Sequence, residues 1–129
     1  YRSNEILDKL YDHRIDLIVL AGFLWLVPRN LTELFPVINI HPALLPKYGG
    51  KGMYGMNVHK AVLASKDKES GITIHQVNQD YDKGKIIFQA TCPILSGDTP
   101  EILAGRIHEL EHLHYPRVIE EILLKDDEE

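Results

Sequence analysis

The sequence predicts an α/β chain: an open twisted sheet of parallel strands plus a C-terminal antiparallel hairpin, flanked by helices. Three patterns predict it. The run Leu17-Ile18-Val19-Leu20-Ala21, between Asp16 and Gly22, is wholly apolar and rich in β-branched residues, as in a parallel strand covered on both faces. A second run, Val37-Ile38-Asn39-Ile40-His41, follows after a helix-sized interval, which makes a right-handed βαβ unit. Residues 71–77 then alternate, with Ile72 and Ile74 set against Thr73 and His75, and a strand resumes from Lys85 after Asp80-Tyr81-Asp82-Lys83-Gly84. That is a hairpin with a five-residue loop.

Taken in order, Ser3 or Asn4 caps a first helix carrying Ile6, Leu7, Leu10 and Tyr11. The strand within residues 16–22 follows, then a short helix over residues 28–35, then the Asn39/His41 strand, which Pro42 stops because it has no N–H for the ladder. Residues 47–55 hold Gly49, Gly50, Gly52 and Gly55 and read as a flexible loop, a lid over the neighbouring site. Residues 56–65 read as a helix. After the hairpin, Pro100 takes the first helical position behind Thr99, and Ile102, Leu103, Ile107 and Leu110 recur at helical spacing. Pro116 is expected to kink or restart that helix before Val118, Ile119, Ile122 and Leu123.

At 129 residues the chain suits one domain, 1–129, with a real core. A composition of 44% hydrophobic and 26% charged residues is that of a soluble globular domain. The net charge of −5 argues against nucleic acid or an anionic membrane as the partner. Cys92 is the single cysteine, so no internal disulfide is possible and a reducing compartment, the cytoplasm, is expected. No stretch approaches the ~18 apolar residues of a membrane span. The first strand reads as a central one yet has few neighbours to cover it, so an N-terminally truncated domain is expected, with one or two strands preceding Tyr1.

Asn39 and His41 project from the same face of their strand, roughly 6.5–7 Å apart, at its C-terminal end. Ligands bind there in open α/β sheets. An amide beside an imidazole either closes a strand end with hydrogen bonds or polarises a carbonyl. Asp82, at the hairpin tip, is an ordinary turn aspartate or a carboxylate folded back to raise and orient the imidazole. His108-Glu109-Leu110-Glu111-His112 spells the zinc-protease H-E-x-x-H. The extended form needs Gly at 115 and His at 118, where Tyr115 and Val118 stand, so a polar helix face is the preferred reading. His59 reads as a satisfied surface or interface histidine, and His75 faces either the site or the other layer. Phe23 and Trp25 are core or an aromatic pocket wall. Gly49-Gly50-Lys51-Gly52 fits neither phosphate-loop spelling.

Read together, these blocks resemble the phosphoribosylglycinamide formyltransferases of purine biosynthesis. The likeness runs from Leu20-Ala21-Gly22-Phe23 through Asn39-Ile40-His41-Pro42-Ala43-Leu44-Leu45-Pro46 and Asn57-Val58-His59. It continues through Gly71-Ile72-Thr73-Ile74-His75 and Asp82-Lys83-Gly84-Lys85-Ile86-Ile87-Phe88-Gln89, and closes on Glu111-His112 and Tyr115-Pro116. The resemblance implies a formyltransferase-like sheet and formyl transfer from 10-formyltetrahydrofolate to the amine of glycinamide ribonucleotide, without a metal. It implies Asn39, His41 and Asp82 as the catalytic trio. Leu24, Trp25, Leu26 and Val27, with Asn39 and the loop of Val77, Asn78, Gln79, Asp80, Tyr81 and Asp82, would hold the reduced folate. Pro42, His108 and Glu111 would meet the acceptor. Leu24-Trp25 stands where many members have Met-Arg, and the family's first strand and phosphate loop have no counterpart here. Formyltetrahydrofolate hydrolysis, a non-catalytic folate-binding fragment and the zinc protease are the alternatives.

Overall fold

The computed structural model describes residues 17–21, 36–77 and 85–128. The expected helices over residues 3–11 and 28–35 and the tip of the hairpin lie outside them. Strands β1 (Ile18–Ala21), β2 (Val37–His41), β3 (Glu69–Gln76) and β4 (Ile86–Pro93) form one sheet in the order β1-β2-β3-β4. Helix α1 (Met56–Ala64) lies between β2 and β3, and α2 (Pro100–Glu128) follows β4. β1 and β2 are parallel, and β2–β3 and β3–β4 are antiparallel. This is the mixed sheet with a C-terminal hairpin that the patterns predict.

Register sorts the sheet into two chemically distinct faces. Directly paired residues of antiparallel strands share a face. Ile40 pairs with Ile74, which pairs with Phe88, and Ile72 pairs with Ala90, so one face is apolar. Ile38, Ile40, Ile72 and Ile74 are all at most 2% exposed, and they join Val58 and Val62 of α1 and Leu103, Ile107 and Val118 of α2 in one core. Both helices therefore cover this face. The other face carries Asn39, His41, Thr73, His75 and Gln89, because Asn39 pairs with His75 and His41 with Thr73, which pairs with Gln89. It is polar yet mostly buried.

Local chemistry sets the ends of α2. Thr99 Oγ1 accepts from the Ile102 amide at 3.2 Å, with Pro100 as the first helical residue, as expected. Arg106 clasps Asp98 with two hydrogen bonds, at 2.6 and 3.2 Å, and reaches the Pro93 carbonyl at 2.9 Å, which ties the helix to the end of β4. The helix does not restart at Pro116: it is one element through Glu128. Packing on both sides of the proline outweighs the lost backbone bond, since Val118 is 5% exposed and the Tyr115 hydroxyl donates to the Leu20 carbonyl at 2.6 Å. Burial pushes that phenol well above its ordinary pKa. β1 also differs from expectation. It sits at the edge of the described sheet and Val19 is 39% exposed, so this strand is not covered on both faces by the described residues. Among the described residues, no helix is long and apolar enough to cross a membrane.

Candidate functional site at the end of the second strand

β2 ends at His41, and the chain turns at once through Pro42 into residues 43–48. Asn39 is 8% exposed and His41 only 4%. Three elements hold this rim. Asn39 Nδ2 lies 3.5 Å from His75 Nε2 on β3, a long contact. His75 Nδ1 faces the Gln76 carbonyl at 3.1 Å. A carbonyl only accepts, so Nδ1 carries the proton and Nε2 is left to accept from the Asn39 amide. Asn39 Oδ1 is buried without a partner among the described residues, an acceptor inside the protein at the strand end. His75 thus faces the site and not the helix layer.

His41 Nε2 donates to the Tyr48 carbonyl at 2.7 Å. Tyr48 has a positive φ of 58°, a left-handed conformation that costs a non-glycine residue about 1–2 kcal/mol. Its hydroxyl donates to Asp67 Oδ2 at 2.6 Å. The turn between His41 and Tyr48 hangs on Thr73, which is fully buried. Thr73 Oγ1 donates to the Ala43 carbonyl at 2.7 Å and accepts from the Leu45 amide at 3.0 Å. Gln89 Nε2 donates to both Thr73 Oγ1 and the Leu45 carbonyl, each at 3.0 Å. Every hydrogen-bonding position of the Thr73 hydroxyl is used. The sequence places Thr73 on a strand face but does not show this network or Tyr48, because the bonds depend on main-chain carbonyls and amides and on side chains brought together only by the fold. The Gly–Thr–His spacing of β3 against Asn–x–His of β2 was the one available signal.

Residues 47–55 are more tethered than a flexible lid. The amides of Met53 and Tyr54 bond to the carbonyls of Gly50 and Gly52, and Asn57 Nδ2 bonds to the Gly52 carbonyl. A cavity of about 280 Å³ is lined by Tyr48, Lys47, Asp67, Ser70 and neighbours, and neither Asn39 nor His41 lines it.

His59 departs from its expected surface role. It is 5% exposed on α1 and its Nδ1 has no partner among the described residues. Burial holds its pKa below the ordinary value, and the charges of His108 and His41 push the same way. His59 is thereby close to both the strand end and α2. On α2, His108 Nδ1 stands 3.6 Å from Glu111 Oε1, with His108 71% and Glu111 22% exposed. Burial raises the Glu111 pKa, against the opposing pull of His108 and His112. Pro42 is half-buried beside His41. Among the described residues, no three His, Cys, Asp or Glu side chains are grouped to hold a metal, so H-E-x-x-H finds no further ligand there.

Of the predicted site residues, the structure brings Asn39 and His41 together on one buried rim, and His108 and Glu111 together on α2. Val77 is half-buried just past β3, with its amide on the Val37 carbonyl at 2.9 Å. Leu24, Trp25, Leu26, Val27, Asn78, Gln79, Asp80, Tyr81 and Asp82 lie outside the described residues.

The chain is similar to known proteins in sequence and in fold. Phosphoribosylglycinamide formyltransferase, chloroplastic, of Arabidopsis thaliana is 48% identical over 118 residues, spanning 90% of this chain and 40% of that protein. The Haemophilus influenzae phosphoribosylglycinamide formyltransferase is 40% identical over 114 residues, or 87% of this chain and 51% of that protein. The crystal structure of the Streptococcus pneumoniae enzyme of that name superposes with a TM-score of 0.82 at 33% identity, covering 93% of this chain and 65% of that one. The chain thus spans roughly two-fifths to one half of these curated relatives' length. Residues 1–119 match the family model described as Formyl transferase, a stretch that holds the β2 rim, the hairpin and the His108–Glu111 pair, so the chain belongs to the formyl transferase family.

Proposed function

We propose that this chain carries the chemical centre of an enzyme that transfers the formyl group of 10-formyltetrahydrofolate to the amine of glycinamide ribonucleotide, in purine biosynthesis. One observation supports it most: the Asn39 amide and His41 imidazole share a buried strand end, with Asn39 Oδ1 unpartnered, in a chain of this family. A buried amide oxygen lacking a donor costs free energy until an N–H or O–H group reaches it. The N–H of an attacking amine is such a donor, and the N–H groups of Asn39 Nδ2 and of a protonated His41 suit a formyl oxygen, so the residues fit such a ligand.

In this reading Asn39 and protonated His41 hold the formyl oxygen as charge develops on it during attack by the neutral amine. The new C–N bond forms at the formyl carbon and the bond to the folate nitrogen breaks. His41, aided by Asp82, moves the amine's proton toward that leaving nitrogen. Val77 and the loop to Asp82, with residues 24–27, hold the folate. Glu111 holds the acceptor amine, with His108 and Pro42 beside it. Desolvation of Glu111 supports that role, because a cationic or N–H-bearing acceptor relieves a buried carboxylate. The reaction uses no metal, and the cytoplasm is the proposed compartment, where the lone buried Cys92 stays reduced. The site works as one domain over residues 1–129 together with whatever the full-length protein adds.

The test follows tetrahydrofolate release by the full-length protein given 10-formyltetrahydrofolate with and without glycinamide ribonucleotide. Release that depends on the nucleotide supports the transferase. Equal release without it makes water the acceptor and the protein a hydrolase. Folate binding with no release in either case leaves a binding module.

A further inference from the structure

The turn after β2 comes back to its own starting point. His41 Nε2 meets the Tyr48 carbonyl at 2.7 Å, and because a carbonyl only accepts, Nε2 carries the proton. In a neutral ring that makes Nδ1 the basic nitrogen, the one able to take a proton. The carbonyl points back at His41 because Tyr48 is left-handed at φ 58°. Tyrosine has no preference for that conformation, and a strained residue persists only where its surroundings hold it. The holder here is Asp67, which receives the Tyr48 hydroxyl at 2.6 Å from the segment between α1 and β3. Lys47 also approaches Asp67, at 3.8 Å, but its side chain is 72% exposed and adds little.

We infer that Tyr48 and Asp67 are positioning residues that decide which nitrogen of His41 bears the proton. Asp67 anchors the hydroxyl, the anchored ring keeps the backbone left-handed, and the carbonyl so presented selects the Nε2–H tautomer and the ring's orientation. Asp67 acts on His41 only through Tyr48. The catalytic consequence rests on the formyl-transfer reading; the proton's location does not, and it is measurable without turnover.

The experiment labels the full-length protein with ¹⁵N-histidine and reads the His41 ring nitrogens by long-range ¹H–¹⁵N correlation at a pH where the ring is neutral. The unmodified protein is expected to show the Nε2–H tautomer. Tyr48→Phe and Asp67→Ala each shift the ring to a mixture of tautomers, and the double variant goes no further than either one. Tyr48→Gly, which adopts positive φ without an anchor, keeps the original pattern. In turnover, Tyr48→Phe lowers kcat about tenfold, as small misplacements of a reacting group do, with KM for the formyl donor within about twofold. Tyr48→Gly recovers kcat. An Nδ1–H tautomer in the unmodified protein, or unaltered nitrogens in both Tyr48→Phe and Asp67→Ala, overturns the inference. Tautomer shifts as expected in a protein that transfers no formyl group uphold the inference and sink the functional reading alone.

Discussion

At the scale of single residues, the strand end is informative because it joins burial to unmet hydrogen-bonding capacity. A polar pair at 8% and 4% exposure is costly to place unless partners exist, and Asn39 Oδ1 has none. If Asn39 and His41 stabilise developing charge, Asn39→Ala and His41→Ala each lower kcat by about 10²–10³ in full-length protein, the usual loss for one such donor. Steady-state assay decides it, and near-normal turnover removes that residue from the mechanism. Asp82→Asn keeps shape but not charge and is expected to abolish nearly all turnover. Glu111 makes a stability prediction of the opposite kind. Its raised pKa means the folded state binds that proton more tightly than the unfolded chain. Its contribution is therefore fully present below the unfolded carboxyl's range and is lost as pH rises through the folded value. Glu111→Gln should then gain about 0.5 kcal/mol at neutral pH in urea unfolding, while acceptor binding weakens. A variant less stable at pH 7 would show that the charge is paid back by its histidine neighbours.

Elements explain how those side chains come to meet. β2 supplies Asn39 and His41 two residues apart, and β3 meets them with His75 and Thr73 through antiparallel register. Slipping that register by one residue would put isoleucines on the rim and histidines in the core. Gly71 guards the neighbouring pairing of β3 with β4. A Cβ there would collide with the Ala90 carbonyl of β4 and lie 2.7 Å from Leu44 Cδ2. Because the collision is with backbone, Gly71→Ala is expected to destabilise by about 1–3 kcal/mol and to loosen the turn that begins at Pro42. Chemical denaturation with hydrogen exchange at the Leu45 amide checks both, and an unchanged midpoint refutes the close approach. The strands and α2 were readable from periodicity, Thr99-Pro100 and the hairpin's spacing. Two features were not. Pro116 inside a helix is locally unfavourable, and only the packing of Tyr115 and Val118 outweighs it. His59 follows an exposed-looking glycine segment, and only the docking of α1 against the sheet and α2 buries it.

Across the described residues, α1 and α2 lie on the isoleucine face, and the polar residues gather on the opposite face and its rim. His59 sits where these layers meet, and its lowered pKa ties the assembly to pH. A histidine whose folded pKa is depressed adds stability above its unfolded value, about 6.5, and loses it as pH falls through the folded value. Unfolding free energy should therefore drop between pH 7 and 5, and His59→Gln should flatten that drop; an equally steep fall in the variant would assign the acid sensitivity elsewhere. Glu111 works in the opposite sense, because burial raises its pKa and its contribution grows as pH falls. The sequence by itself determined the strands, the hairpin, the start of α2 and the Asn39-x-His41 pair, because period-two and period-3.6 patterns and proline chemistry are local. Tertiary structure alone decided that His75 faces Asn39, that Thr73 and Gln89 carry the turn, and that Tyr48 closes on His41. Most of those contacts join atoms far apart along the chain, many of them main-chain carbonyls and amides, and main-chain atoms are the same at every position, so no residue letter records which of them will meet.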